Sequence, residues 1–297
     1  MMIKPTWKST LKAYLYLLPA LIILIPFNIY PIMKSFLMSF YVDYDYFANI
    51  VHAYGVDHFI AIFQDPNFIK ALINTIIFVV GVVPLSIILS LGISMLLNSK
   101  IKFLRFFRTI YFLPYVTSVV AVAIVWGWIF HSDYGLLNFF LGFFGIDPIK
   151  WVTDPAYAMP SLIILSIWKG LGFNIIIFLA GLQNIDEQYY FAAEVDGASA
   201  WHRFTSVTLP LLSPTMFFVS IISIINGFKV FDEIFALFGG RPGPANSALT
   251  VVYYVYQKFY EEWQFGLAST AAFILFMIVF IFTLVQLLIG RKFVHYN

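Results

Sequence analysis

Runs of apolar residues long enough to cross a lipid bilayer recur along nearly the whole chain, separated by short polar segments. A crossing helix needs about 20 predominantly apolar residues. Runs of that kind fall at residues 11–40, 70–98, 108–130, 159–183, 213–238 and 266–290. The chain is 61% hydrophobic and 11% charged, whereas soluble domains carry about 25% charged residues. Too little polar surface is left to cover a water-soluble globule, so the bilayer is the solvent this sequence expects. The reading is an all-α integral membrane protein with six transmembrane helices in one transmembrane domain, 1–297. Residues 1–69 form an N-terminal helix and an external loop, residues 70–290 a five-helix core, and residues 184–212 a cytoplasmic segment within it.

Lys4, Lys8 and Lys12 precede the first run, which continues to about residue 40. A signal peptide has a shorter apolar core and a small-residue cleavage site, so a retained first helix is expected. Pro19, Pro26 and Pro31 should kink it. Basic residues of short loops mark the cytoplasmic side. Lys4, Lys8, Lys12, Lys100, Lys102, Arg105, Arg108, Arg203, Arg291 and Lys292 fall on one side; Lys70, Lys150, Arg241 and Lys258 fall on the other. Both termini are therefore expected inside a bacterial plasma membrane. Residues 41–69 and 131–158 read as acidic external loops. Trp7, Trp151 and Trp263 near span ends fit interfacial belts.

By parity, residues 184–212 are also inside, yet they carry Asp186, Glu187, Glu194 and Asp196. A surface-lying amphipathic helix would be rich in Lys and Arg, so an acidic segment held against a partner protein is the stronger reading. Residues 186–195 favour a helix. Gly197 can supply a positive backbone angle, and Asp196 or Ser199 can cap the next helix. That second, short helix runs from about residue 200 to 205. Trp201 and Phe204, three apart, share one of its faces. Leu209-Pro210 is expected to end the segment before the fifth run. A short helix with projecting aromatics suits docking into a groove.

This segment resembles the EAA motif of ABC importer permeases. Ala192 and Ala193 are followed by three residues and Gly197, then nine residues, Val207, one residue and Leu209-Pro210. Asp196-Gly197-Ala198 has the form typical of carbohydrate permeases. Phe191 stands where the family usually has Glu, and Asp186 where it often has Pro; Glu187 and Glu194 are candidates to replace the missing acidic contact. Residues 168–174 (WKGLGFN), 179–185 (LAGLQNI) and 239–247 (GGRPGPANS) are similar to the same family's fourth helix and Gly/Pro loop. The resemblance implies the type I permease fold of MalF-like subunits. It implies cytoplasmic coupling helices that seat in the ATPase, with Glu187, Ala192, Ala193, Glu194, Asp196, Gly197, Ala198, Trp201, Phe204, Leu209 and Pro210 carrying the contact. The implied partners are a second homologous permease subunit, cytoplasmic ATPase subunits that bind ATP and Mg, and an external solute-binding protein.

Charged residues inside spans are costly and usually face a cavity or a partner. Lys169 lies about ten residues into the fourth run, roughly 15 Å deep at 1.5 Å per residue. The resemblance implies a substrate site near the middle of the fourth and fifth helices, around Ser166, Gly170, Phe173, Ser223 and Asn226; with Lys169, Asn174 and Lys229 these make a candidate substrate pathway. Sugar hydroxyls call for such donors and acceptors. Two structural readings compete: Gly170, Gly172 and Ser223 permit close helix packing, and Lys229 can pair with Asp232 or Glu233.

The chain has no cysteine and a formal net charge of +2, which points away from thiol chemistry and from nucleic acid. No GxxxxGK[ST] segment is present, so ATP hydrolysis is not expected of this chain, nor any cofactor of its own. His52, His58, His131, His202 and His295 show no paired spacing for a metal. The function expected is the transmembrane subunit of an ATP-driven sugar importer, not an enzyme by itself. A permease for another solute such as a glycerol phosphate, whose anion the midplane lysines would suit, and a self-contained secondary transporter remain the alternatives.

Overall fold

The computed structural model describes residues 7–99 and 103–293; Lys4, Lys100, Lys102 and His295 lie outside them. The chain opens with α1 (Trp7–Leu24) and α2 (Tyr30–Met38), joined without a break by a π-turn at Ile25–Ile29. The Tyr30 N–H reaches back five residues to the Ile25 carbonyl. This wide turn lies immediately before Pro31, whose ring would otherwise clash with the carbonyl one turn back. Prolines therefore widen the first span rather than break it.

The segment expected as an acidic loop is structured. Antiparallel strands β1 (Tyr41–Asp45) and β2 (Ile50–Tyr54) pair with Tyr41 opposite Tyr54 and Asp45 opposite Ile50. Their turn is fixed by the Asp45 carboxylate, which accepts from the Phe47 and Ala48 amides at 2.9 Å each, and by Asn49 at φ +53. Asp and Asn hold such turns by bonding the local backbone. Helices α3 (Asp57–Gln64) and α4 (Pro66–Asn98) come next.

The third run is not one straight helix. Helices α5 (Leu104–Val116) and α6 (Val119–Ile129) meet at a bend of 101°. Pro114 removes a backbone donor near the end of α5, and Thr117 and Ser118 adopt extended conformations. The Thr117 hydroxyl donates to the Leu113 carbonyl at 2.7 Å, capping the broken end. After α7 (Leu136–Gly142) comes α8 (Pro155–Gln183), started by the Asp154 carboxylate accepting from the Ala156 amide.

Beyond it are α9 (Glu187–Val195), α10 (Ala200–Arg203) and α11 (Leu209–Phe228). Leu209-Pro210 does not end the segment as expected. A second π-turn, Phe204–Thr208, carries the helix through, with the Leu209 N–H bonded to the Phe204 carbonyl just before Pro210. Ala200–Phe228 is thus one continuous span-length helix. Nor does the fifth run extend to residue 238: α11 stops at Phe228, Phe231 takes φ −148 and ψ −55, and α12 (Asp232–Leu237) starts anew. The Val230 carbonyl freed by this break accepts from the Thr250 hydroxyl at 3.1 Å. Helices α13 (Val251–Tyr256) and α14 (Phe265–Phe293) complete the chain. Five helical stretches, Ser9–Met38, Pro66–Asn98, Pro155–Gln183, Ala200–Phe228 and Phe265–Lys292, are long and apolar enough to cross a membrane; the bent pair α5–α6 makes up to six. The fold is an all-α multi-spanning one, with a single small hairpin among the described residues.

The chain divides into two compact units. In the first, residues 1–65 and 255–274, buried Met38, Ile62, Ala268 and Ala271 form the interior. The Thr270 hydroxyl donates to the Ser39 carbonyl at 3.3 Å. The second unit, residues 66–254 and 275–297, is built around α8, against which α4, α5, α11 and α12 pack. Leu91, Phe178, Leu182, Leu212 and Val219 make one buried cluster there. Ala123, Phe130, Trp151, Leu165 and Leu237 make another. Lipid tails are as apolar as these side chains, so close packing rather than escape from water holds the helices together. Trp151 is only 8% exposed and donates to the Asn138 side-chain oxygen at 2.8 Å. It organises the 131–158 connection instead of joining an interfacial belt; Trp7 and Trp263 are exposed.

Candidate functional site

Within the second unit, a cavity of about 320 Å³ opens between α4, α5, α8, α11 and α12. All eight pathway candidates read from the sequence line it: Ser166, Lys169, Gly170, Phe173 and Asn174 from α8, and Ser223, Asn226 and Lys229 from α11 and its end. Sequence reasoning missed the contributions of Phe78, Val82 and Ser86 from α4 and Tyr115 from α5. Only a hydroxyl at position 86, in register with Ser90 and Ser94 along α4, hinted at a polar face.

The lining is held from behind. Asn174, buried, donates to the Ser86 hydroxyl at 3.0 Å and fixes α8 to α4. Tyr115 stacks on Phe173, with ring centroids 5.2 Å apart and planes at 25°. The two glycines of α8 separate cleanly. At Gly172 a Cβ would collide with the Tyr111 carbonyl oxygen, so this glycine permits the close approach of α5. At Gly170 a Cβ would meet nothing within 4 Å. Gly170 leaves space at the cavity instead of serving helix packing. Among the described residues, the buried Ser166 hydroxyl has no hydrogen-bond partner.

The charges pair differently from the sequence expectation. Lys169 donates to the Glu233 carboxylate at 3.0 Å, across from α8 to α12, with side chains 17% and 18% exposed. Glu233 is therefore engaged with Lys169, 64 positions away, rather than with Lys229. Lys229 and Asp232 are exposed and line the same cavity.

The acidic segment after α8 has a defined local geometry. Asp186 caps α9 by accepting from the Gln188 amide at 2.9 Å. Helix α9 ends in a Schellman turn: the Ala198 N–H bonds to the Ala193 carbonyl at 2.9 Å, and the Gly197 N–H to the Glu194 carbonyl. This turn requires a left-handed residue, which Gly197 supplies at φ +72. The spacing from Ala193 to Gly197 is thus the spacing of the turn itself. Ser199, not Asp196, caps α10, accepting from the His202 amide at 3.2 Å. Trp201 and Phe204 lie 5.5 Å apart but do different things. Phe204 and Leu209 pack on the Leu91 and Phe178 cluster, while Trp201 is 72% exposed. Phe191 and Val195 are exposed as well, as are Glu187, Ala192, Glu194 and Asp196; Ala193, Ala198 and Pro210 are half-buried. Tyr190, which the sequence did not single out, shares a hydrogen bond with the Thr208 hydroxyl at 3.1 Å and ties α9 to the start of α11.

Comparison with known proteins gives a consistent result. The family model described as binding-protein-dependent transport system inner membrane component matches residues 60–295. The lactose transport system permease protein LacF of Rhizobium radiobacter is 36% identical over 297 residues, covering 97% of this chain and 98% of that one. The trehalose/maltose transport system permease protein MalF of Thermococcus litoralis is 31% identical over 288 residues, covering 97% and 96%. A chain in the crystal structure of a bacterial alginate ABC transporter, in complex with an alginate pentasaccharide-bound periplasmic protein, superposes with a TM-score of 0.83 at 26% identity, covering 96% of each chain. The chain belongs to the family of binding-protein-dependent transport system inner membrane components, and is a permease component of an ABC importer.

Proposed function

We propose that the chain is one of two membrane-spanning subunits of an importer that moves a sugar or oligosaccharide, delivered by an external binding protein, into the cell. The observation that carries the reading is the continuity of Ala200–Phe228. Its first turn bears exposed Trp201, and its last turns bear Ser223 and Asn226 in the cavity. At 1.5 Å per residue these ends are about 33 Å apart, enough to join a cytoplasmic contact to the middle of a bilayer. A push at α9–α10 is delivered along this helix to the cavity, with no hinge residue needed between them.

In this reading α9 and α10 are the coupling helices. Phe191, Val195 and Trp201 enter a groove on an ATPase subunit, which supplies ATP hydrolysis with its Mg, and Glu187 and Glu194 border the contact. The bent pair α5–α6 counts as one crossing, giving six, with both termini cytoplasmic and residues 70–290 as the five-helix core. Ser166, Lys169, Gly170, Phe173, Asn174, Ser223, Asn226 and Lys229 line the sugar's path. Hydroxyl and amide groups meet sugar hydroxyls, and the Tyr115–Phe173 stack offers an apolar face to a sugar ring. The sugar-transport names of the lactose and trehalose/maltose relatives support the solute class.

Gentle pull-down of the tagged chain from its native membrane tests this directly. Stoichiometric recovery of a second permease and an ATPase is expected. Recovery of this chain alone, as an oligomer that still transports, overturns the proposal.

A further inference from the structure

The cavity lining contains four charged side chains, Lys169, Lys229, Asp232 and Glu233, and their formal charges sum to zero. The least exposed two are already committed to each other, Lys169 Nζ to Glu233 Oε1 at 3.0 Å. An anionic solute needs a cationic partner when it leaves water. Lys229, exposed on the same lining, is already in water and is offset in charge by exposed Asp232 three residues on; the less exposed Lys169 can serve only by giving up Glu233, which then stands as a partly buried, unpaired carboxylate facing the incoming anion. An uncharged polyol meets no such penalty, and finds donors and acceptors in Ser166, Ser223 and Asn226.

We propose that the Lys169–Glu233 pair is a specificity determinant that restricts the pathway to uncharged, polyhydroxylated solutes and excludes those bearing a carboxylate or phosphate. Glu233 is the discriminating member: it neutralises the lysine that would otherwise recruit an anion. This rests on the reading of the cavity as a sugar pathway. It also decides against a glycerol phosphate, which the sequence left open because the midplane lysines would suit its anion. Specificity here is produced by repulsion as much as by attraction.

The test uses the complete importer, with its partner permease and ATPase subunits, in nanodiscs without the binding protein. Binding of lactose, maltose and trehalose is compared with that of their 6-phosphates. The wild-type complex should bind at least one neutral disaccharide and prefer it to its phosphate by about tenfold or more. Glu233→Gln, which keeps size and a hydrogen-bonding oxygen, should cut that preference by about tenfold. The charge-swapped double variant Lys169→Glu with Glu233→Lys restores the pair and should restore the preference, and size-exclusion profiles confirm assembly of each variant. Neutral binding with the same preference in wild type and Glu233→Gln overturns this inference and leaves the sugar pathway standing. Equal binding of sugar and sugar phosphate by the wild type also overturns it. If no neutral disaccharide binds the wild type, the pathway reading and this inference fall together.

Discussion

Asn174 on α8 donates its side-chain amide to the Ser86 hydroxyl on α4 at 3.0 Å, joining two spans 88 positions apart in sequence. Both are buried, at 5% and 3% exposure. Removing the acceptor leaves a buried amide unsatisfied, at a cost of about 1–3 kcal/mol. Ser86→Ala is expected to lower the unfolding midpoint of the purified complex. Asn174→Leu combined with Ser86→Ala should cost less than the two single changes added, because the double variant strands no polar group. Thermal unfolding tracked by size-exclusion detects the difference; strict additivity would show that the bond contributes nothing specific.

Gly170 and Gly172 lie two residues apart on α8 and predict opposite behaviour. Gly172→Val forces α5 off α8 through the Tyr111 carbonyl and should abolish recovery of folded protein. Gly170→Ala places a methyl in open space, leaves folding within about 0.5 kcal/mol of the wild type, and should change only transport. Detergent-solubilised yield and transport rate, measured side by side, separate the two.

Gly197 occupies φ +72, and a Cβ at this position would meet no atom within 4 Å, so sterics outside the backbone do not decide its replacement. Gly197→Ala should cost about 1 kcal/mol through backbone strain alone and remain functional. Gly197→Pro fixes φ near −65°, removes the turn between α9 and α10, and should uncouple ATP hydrolysis from transport while the chain still inserts. Normal transport by Gly197→Pro would remove this segment from the coupling path.

Trp201 is 72% exposed and contributes little to the permease's own packing. Trp201→Ala should leave thermal stability within about 0.5 kcal/mol of the wild type, yet sharply reduce the ATPase subunit that copurifies. Phe204→Ala should do the reverse in part, because Phe204 packs on the buried Leu91 cluster and its loss lowers stability first. Quantitative copurification against unfolding midpoint distinguishes an exposed docking residue from a packing one.

Lys169→Ala and Asn226→Ala should both alter transport or solute-stimulated ATPase activity without loss of assembly. Lys169→Ala should have the larger effect, since it also strands the Glu233 carboxylate, which is 18% exposed. Unchanged activity in both would move the solute path away from this cavity.

Residue order alone settles the solvent, the helical class and the turn between α9 and α10. Apolar run length against bilayer thickness is a local property, as is the Schellman spacing from Ala193 to Gly197. Lys169, Asn174, Asn226 and Lys229, which line the cavity, were also legible, because a charge or an amide inside an apolar run stands out without reference to anything else; Ser166, Gly170, Phe173 and Ser223 came from the family resemblance. How those runs are interrupted, and which groups pair, is decided by the tertiary structure. Whether Pro31 and Pro210 break a helix or only widen it depends on a π-turn that no composition announces. Whether Pro114 allows one span or a 101° bend depends on how the freed backbone groups are satisfied, by Thr117 here. Glu233 looked equally able to pair with its neighbour Lys229, and meets Lys169 because the break after Phe228 turns α12 towards α8. Gly170 and Gly172 are the same residue type in the same helix, and only the approach of α5 makes one a packing site and the other open space. Local patterns fix which groups must be satisfied; long-range packing fixes which partner satisfies them.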